Sequence, residues 1–172
     1  MRKILTIAGS DSIGGAGIQA DLKTFCALGV YGMSVITAVT AQNTRGVFDV
    51  RNMDESIIKE QIDCVFDDTD VDALKIGMVS TGSIIEVIAS SLKKWKAQNI
   101  VLDPVMISKS GYYLLKTDAI NVLKTKLMPL ADILTPNIPE AEVITGIKIN
   151  GIDEMKKDCK DDGRHGSKCS CC

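Results

Sequence analysis

The sequence predicts an α/β fold in three layers, with helices on both faces of a mostly parallel sheet. Three observations carry this. Short apolar runs recur along the chain, among them Ile4–Ile7, Tyr31–Ala41, Ala73–Ile76 and Ile100–Leu102. They are nearly continuous rather than alternating, the pattern of strands buried on both faces. Between them lie stretches with apolar residues at helical spacing, so strands and helices alternate. Most runs also stop at small or polar residues: Gly9, Gln42, Gly77, Asp103 and Thr135-Pro136-Asn137.

The elements follow in order. Ile4, Leu5 and Ile7 read as the first buried strand. The glycine-rich stretch Gly9-Ser10-Asp11-Ser12-Ile13-Gly14-Gly15-Ala16-Gly17 turns the chain into a helix whose apolar face is Ile18, Leu22, Phe25 and Cys26, with Gly29 placed to end it. Such a loop at a helix N-terminus offers unpaired N–H groups to an anion or a polar ligand. Tyr31 to Ala41 is a second buried strand ending at Gln42, and Gly46 to Arg51 alternates as a short edge strand. Asp54 is placed to cap a helix running to about Phe66, with Ile57, Ile58, Ile62, Val65 and Phe66 on one side. After the strand Ala73–Ile76, Thr81 or Ser83 caps a helix that buries Ile84, Ile85, Val87, Ile88, Leu92 and Trp95. The strand Ile100–Leu102 ends at Asp103-Pro104-Val105, and the polar loop Ser108–Gly111 follows. Asp118 to about Leu127 is helical, Asp132–Leu134 is a strand, and Pro139 opens a helix that Gly146 closes. A last helical stretch runs from Ile152 to about Cys159. No internal repeat or low-complexity linker interrupts the series.

The chain has 172 residues, enough for one domain with a substantial core, and is 45% hydrophobic and 24% charged with a net charge of −2. No basic patch stands out, which argues against a nucleic-acid partner. No apolar run reaches the length of a membrane span, and the N-terminus reads as a strand rather than a signal peptide, so a cytoplasmic location is expected. Of six cysteines, Cys26 and Cys64 are expected as reduced core thiols. The other four crowd into the final residues.

In open α/β sheets, ligands bind outside the carboxyl ends of the strands. Gln42 offers two donors and an acceptor in one plane, which suits the edge of an aminopyrimidine; it equally suits a loop amide bonded to the backbone. Asp21, one turn into the first helix, can accept from a ligand amine or hydroxyl, or simply favour the helix N-terminus. Met78 and Val105 fit apolar walls of a cleft, and fit the core as well. Asp103 at a strand end, with Asn137 and Glu140 at the next strand end and helix start, forms an oxygen-rich group suited to Mg²⁺; a capped turn and a helix-start charge are the alternatives. Gly15-x-Gly17-x-x-Ala20 matches a dinucleotide fingerprint, but Thr40–Thr44 supplies no carboxylate where that fold needs one, and no Gly-Lys-Ser/Thr follows the loop.

Five ordered segments carry a resemblance. They are Ala8–Ser12 continuing through Gly14–Thr24, then Thr37–Thr44, Lys75-Ile76-Gly77-Met78, Asp103–Met106 with Lys109-Ser110-Gly111, and Thr135–Ala141. In these the chain resembles the bacterial hydroxymethylpyrimidine and phosphomethylpyrimidine kinases of thiamine biosynthesis, within the ribokinase-like superfamily. The resemblance covers residues 1 to about 168. It implies a ribokinase-like fold and transfer of the γ-phosphoryl group of ATP to the hydroxymethyl group of the aminopyrimidine, then to the resulting monophosphate. It further implies a pyrimidine pocket of Gly9, Asp21, Gln42, Met78 and Val105, with Asp103, Asn137 and Glu140 serving ATP, and Asp103 and Glu140 serving Mg²⁺. A homodimer with the Gly46–Arg51 edge at its contact is expected on the same ground. A non-catalytic pyrimidine-binding remnant and a pyridoxal kinase of the same superfamily are the alternatives.

The resemblance also implies a longer chain. After Gly166-Ser167-Lys168 the family enters a further buried strand, followed by the glycine-rich anion hole, the catalytic base and most of the adenine pocket. The catalytic residues are therefore expected beyond residue 172, the fold is expected to be incomplete at its C-terminus, and residues 169–172 read as an aberrant Cys-rich tail left by a truncation or a shifted frame. Cys159, His165, Cys169, Cys171 and Cys172 fit no usual zinc spacing, and a prenylated Cys-Cys end does not suit a bacterial body.

Overall fold

In the computed structural model, residues 1–106, 115, 119–151 and 168–169 are described. Their strands form one sheet in the order β3-β2-β1-β4-β5-β6-β7. These are β1 (Lys3–Asp11), β2 (Tyr31–Asn43), β3 (Gly46–Asn52), β4 (Ala73–Ile76), β5 (Ile100–Leu102), β6 (Ile133–Leu134) and β7 (Lys168–Cys169). Every pairing is parallel except that of β3 with β2. Helices α1 (Gly17–Ala27), α2 (Glu55–Asp68), α3 (Gly82–Lys94), α4 (Ala119–Val122) and α5 (Ile138–Thr145) connect them, and a π-helical turn, Leu123–Leu127, continues α4. The expected polar loop Ser108–Gly111, the start of the fourth helix at Asp118, the helix from Ile152 and the cysteines at 159, 171 and 172 lie outside the described residues.

From β1 the chain moves through α1 to β2 on one side. From β4 it moves through α3 to β5 on the other. Right-handed crossovers then place α1 and α3 on opposite faces of the sheet, with the change of direction between β1 and β4. Alternation along the strands assigns the two faces. Leu5 and Ile7 of β1 pair in register with Leu74 and Ile76 of β4 and join the large core with Ile58 and Ile62 of α2 and Ile84, Ile85, Ile88 and Leu92 of α3. Asp63 of α2 accepts from Lys94 Nζ (2.9 Å) and Trp95 Nε1 (2.6 Å), and Trp95 stacks on Phe66, which ties α2 to the end of α3. On the α1 face the register pair is Thr6 and Lys75, so that side of the sheet is partly polar.

Most local signals hold. Gly29 and Gly146 take positive φ at helix ends, and Thr81 Oγ1 accepts from Ile84 N. Three expectations fail. Cys26 and Cys64 are exposed, because each helix leans on the sheet through a narrower stripe, Ile18 in α1 and Ile58 with Ile62 in α2. Ile57 is exposed for the same reason. Asp54 stands at the N-cap of α2 with its side chain making no capping bond.

Gly17 has φ +55°, and a Cβ there would lie 2.2 Å from the Gly9 carbonyl oxygen; at Gly29, with φ +70°, nothing lies within 4 Å of that position. Gly17→Ala should therefore lower stability by about 3 kcal/mol or more, because strain adds to a backbone clash. Gly29→Ala should lose only the left-handed penalty of about 1 kcal/mol. Urea unfolding of both variants checks the difference.

Candidate active site

The parallel sheet sets the carboxyl ends of β2, β1, β4, β5 and β6 side by side, so the expected site residues fall along one edge in the order Gln42, Gly9, Met78, Asp103 with Val105, and Asn137 with Glu140. Asp21 reaches this edge from α1.

The glycine loop is built around Asp11, which is 4% exposed. Its carboxylate accepts from Ile13 N (3.0 Å), Gly15 N (2.9 Å) and Ala16 N (2.8 Å). This corrects the expectation that those N–H groups await an external anion: the chain supplies its own. Gln19 fastens the same turn, accepting from Asp11 N and donating to Ser10 Oγ. Ser12 Oγ accepts from Gln42 N (2.9 Å) and donates to Gln42 O (2.7 Å), so the Gln42 backbone is clamped to the loop. Among the described residues Gln42 Nε2 donates to no partner, and Oε1 has only a 3.4 Å contact with Thr40 Oγ1. The amide is thus not tied to the backbone.

Gly9 sits where the β1–β2 register shifts. A Cβ at Gly9 would stand 3.1 Å from Met78 Sδ, so the missing side chain is what lets Met78 lie across β1. Thr37 Oγ1 of β2 donates to Met78 O (2.7 Å), which fixes the loop after β4 over the strand it crosses. Val105 is half-buried, its N–H bonded to Asp103 O at 2.8 Å.

Asp21 Oδ2 accepts from Thr6 Oγ1 (2.6 Å) and from Lys75 Nζ (3.1 Å), and Nζ stands 3.8 Å from Asp103 Oδ2. Burial and the neighbouring Asp21 charge raise the Asp103 carboxyl above the ordinary carboxylate range, against the pull of Lys75. Glu140 is 6% exposed. It forms a capping box with Asn137: Asn137 N donates to Oε2 (3.0 Å) and Glu140 N donates to Asn137 Oδ1 (2.9 Å). Met106 N donates to Oε1 at 3.3 Å, which joins the β5 loop to α5. Burial raises this carboxyl too, opposed by its backbone donors and reinforced by Asp103. Asn137 itself is exposed.

Gly9 therefore meets Met78, Asp21 meets Asp103 through Lys75, and Glu140 meets Asn137. Thr6, Asp11 and Lys75 were missed as site residues. A lysine inside an otherwise apolar four-residue strand was the available signal for Lys75.

The sequence model of the phosphomethylpyrimidine kinase family matches residues 11–169. The chain belongs to that family. A hydroxymethylpyrimidine/phosphomethylpyrimidine kinase of Haemophilus influenzae is 54% identical over 149 residues, 87% of this chain and 55% of the relative. The crystal structure of a phosphomethylpyrimidine kinase from Clostridium difficile superposes with a TM-score of 0.94 at 59% identity, covering 99% of this chain and 74% of that one. An ADP complex of Bacillus subtilis pyridoxal kinase gives a TM-score of 0.88 at 38% identity, covering 99% and 66%. The chain spans about half the length of the curated relatives it matches, and its three-layer fold is that of ribokinase-like kinases.

The oxygen donors present suit the magnesium ion that a kinase family implies. Among the described residues the Asp103 carboxylate has no hydrogen-bond donor within 3.5 Å, Lys75 Nζ standing 3.8 Å from Oδ2, and its side chain is 36% exposed. Each Glu140 oxygen accepts one backbone N–H and retains a second lone pair.

Because both carboxyls hold their protons more tightly in the folded chain than in the unfolded one, their contribution to stability is greatest at acid pH and falls as pH rises through the folded values. Asp103→Asn should therefore melt higher than the parent at pH 7, with the gap narrowing as pH is lowered toward 4. Calorimetric melts across that range check the sign.

Proposed function

We propose that this edge holds an aminopyrimidine alcohol next to a magnesium nucleotide, and that the activity it serves is ATP-dependent phosphorylation of hydroxymethylpyrimidine and then of its monophosphate, within thiamine biosynthesis. The observation that carries the reading is Gln42: its backbone is clamped by Ser12, while among the described residues its Nε2 donates to no partner and its Oε1 has only the long Thr40 contact, which leaves the amide able to pair with a heterocycle edge. Asp21 accepts from an amine or hydroxyl of the same ligand. Met78 and Val105 wall the ring, and Gly9 lets Met78 take that place across β1.

Asp103, Asn137 and Glu140 lie farther along the strand order and face the nucleotide side. Bound ATP with Mg²⁺ supplies the phosphoryl group and neutralises its charge. This chain's residues bind and orient: Asp103 and Glu140 present carboxylate oxygens to the ion, and Asn137 fixes Glu140 through the capping box. Both carboxyls must be ionised for that role, so their raised values make cation binding weaken at a higher pH than free carboxylates would show. A homodimer formed along β3, where Phe48 is exposed, belongs to the same proposal.

The superposition on B. subtilis pyridoxal kinase supports a second reading, in which the ring held is pyridoxal. Titration calorimetry of the purified chain with hydroxymethylpyrimidine and with pyridoxal separates the two. The pyrimidine is expected to bind more tightly, and Gln42→Ala should weaken it at least tenfold, about 1.4 kcal/mol. Preference for pyridoxal favours the second reading. A turnover assay with ATP and Mg²⁺ then decides between an active kinase and a binding remnant.

A further inference from the structure

Lys75 is the residue of this edge whose surroundings are most fully specified. It lies in β4, in register with Thr6 of β1, so both side chains project to the α1 face beneath Asp21. Gly77, two residues on, lies on the same side of the strand, and a Cβ there would stand 2.7 Å from Lys75 Nζ and 3.2 Å from Ala8 Cβ. The space a side chain at 77 would fill is taken by the ammonium group. From that position Nζ donates to Asp21 Oδ2 at 3.1 Å and stands 3.8 Å from Asp103 Oδ2. Thr6 Oγ1 donates to the same Oδ2 of Asp21. Two donors thus converge on one oxygen of Asp21, and among the described residues its Oδ1 accepts no hydrogen bond. Asp103 likewise turns Oδ2 toward Nζ and keeps Oδ1 without a hydrogen bond among those residues. The pair is only partly screened by water, since the Lys75 and Asp21 side chains are 23% and 18% exposed.

We propose that Lys75 is a positioning residue: it fixes the rotation of both carboxylates, so that Asp21 presents Oδ1 to the pyrimidine and Asp103 presents Oδ1 to the nucleotide's cation. This rests on the functional reading above. An ion pair that served folding alone would show in stability and would leave ligand binding indifferent to the lysine.

The test is a double-mutant cycle on the full chain, read by titration calorimetry with hydroxymethylpyrimidine, with melting temperatures measured alongside. Lys75→Met is expected to weaken binding about tenfold, and Asp21→Asn by at least as much. The double variant is expected to bind no worse than Asp21→Asn alone, because the lysine acts through that carboxylate. Additive losses, or a Lys75→Met chain that binds like the parent, would overturn the proposal while leaving the functional reading in place. A parent chain that does not bind the pyrimidine removes both. If Lys75→Met does not fold, Gly77→Ala displaces the ammonium group with its charge retained, and the same cycle with Asp21→Asn decides.

Discussion

The contact on which the site depends is that of helix α1 with the backbone of β1. Gly17 starts the helix close over the Gly9 carbonyl, where no other residue type fits without displacement. That approach sets Asp21, one turn on, above the Thr6–Lys75 register pair. It also closes the loop tightly enough for the Asp11 carboxylate to fill the ring of N–H groups from Ile13, Gly15 and Ala16. The Asp11 side chain thus occupies N–H groups that a ligand would otherwise meet, and Ser12 of the same loop holds the Gln42 backbone.

The sheet separates two tasks by face. One face builds the large apolar core with α2, α3 and the α4 segment, which supplies most of the burial that stabilises the fold. The other carries Thr6, Lys75 and Asp21, with Asp103 just past the end of β5. Burial disfavours the charge of Asp103 here, and of Glu140 at the start of α5. A carboxyl whose folded-state value is raised costs stability at neutral pH.

Strand order also divides the site. Gln42, Gly9 and Met78 belong to the β2-β1-β4 side, and Asn137 with Glu140 to the side of β6. Lys75 stands between, at the place where the chain reverses its winding direction, the usual position of a ligand crevice in such sheets. In the function proposed above, one side of this division meets a ring and the other a phosphate.

Much of this was legible in the residues themselves. Apolar runs bounded by Gly77, Asp103 or Thr135-Pro136-Asn137 mark strands by local pattern, and the Asn137/Glu140 capping box is a spacing rule. The glycine loop, Gln42 and the acidic strand ends also stood out, since few residue types suit those places. What only the tertiary structure decided were relations between segments distant in sequence. Asp11 as the loop's own anion required the loop to close. Lys75 as the partner of Asp21 and Asp103 required β1 and β4 to pair in a register that puts Thr6 and Lys75 on one face. Cys26, Cys64 and Ile57 proved exposed because helical periodicity gives the direction of an apolar face but not the width of the stripe the sheet covers. Local pattern fixes how each residue's backbone runs. Which side chains meet is decided by register and packing between elements, and no single segment contains that information.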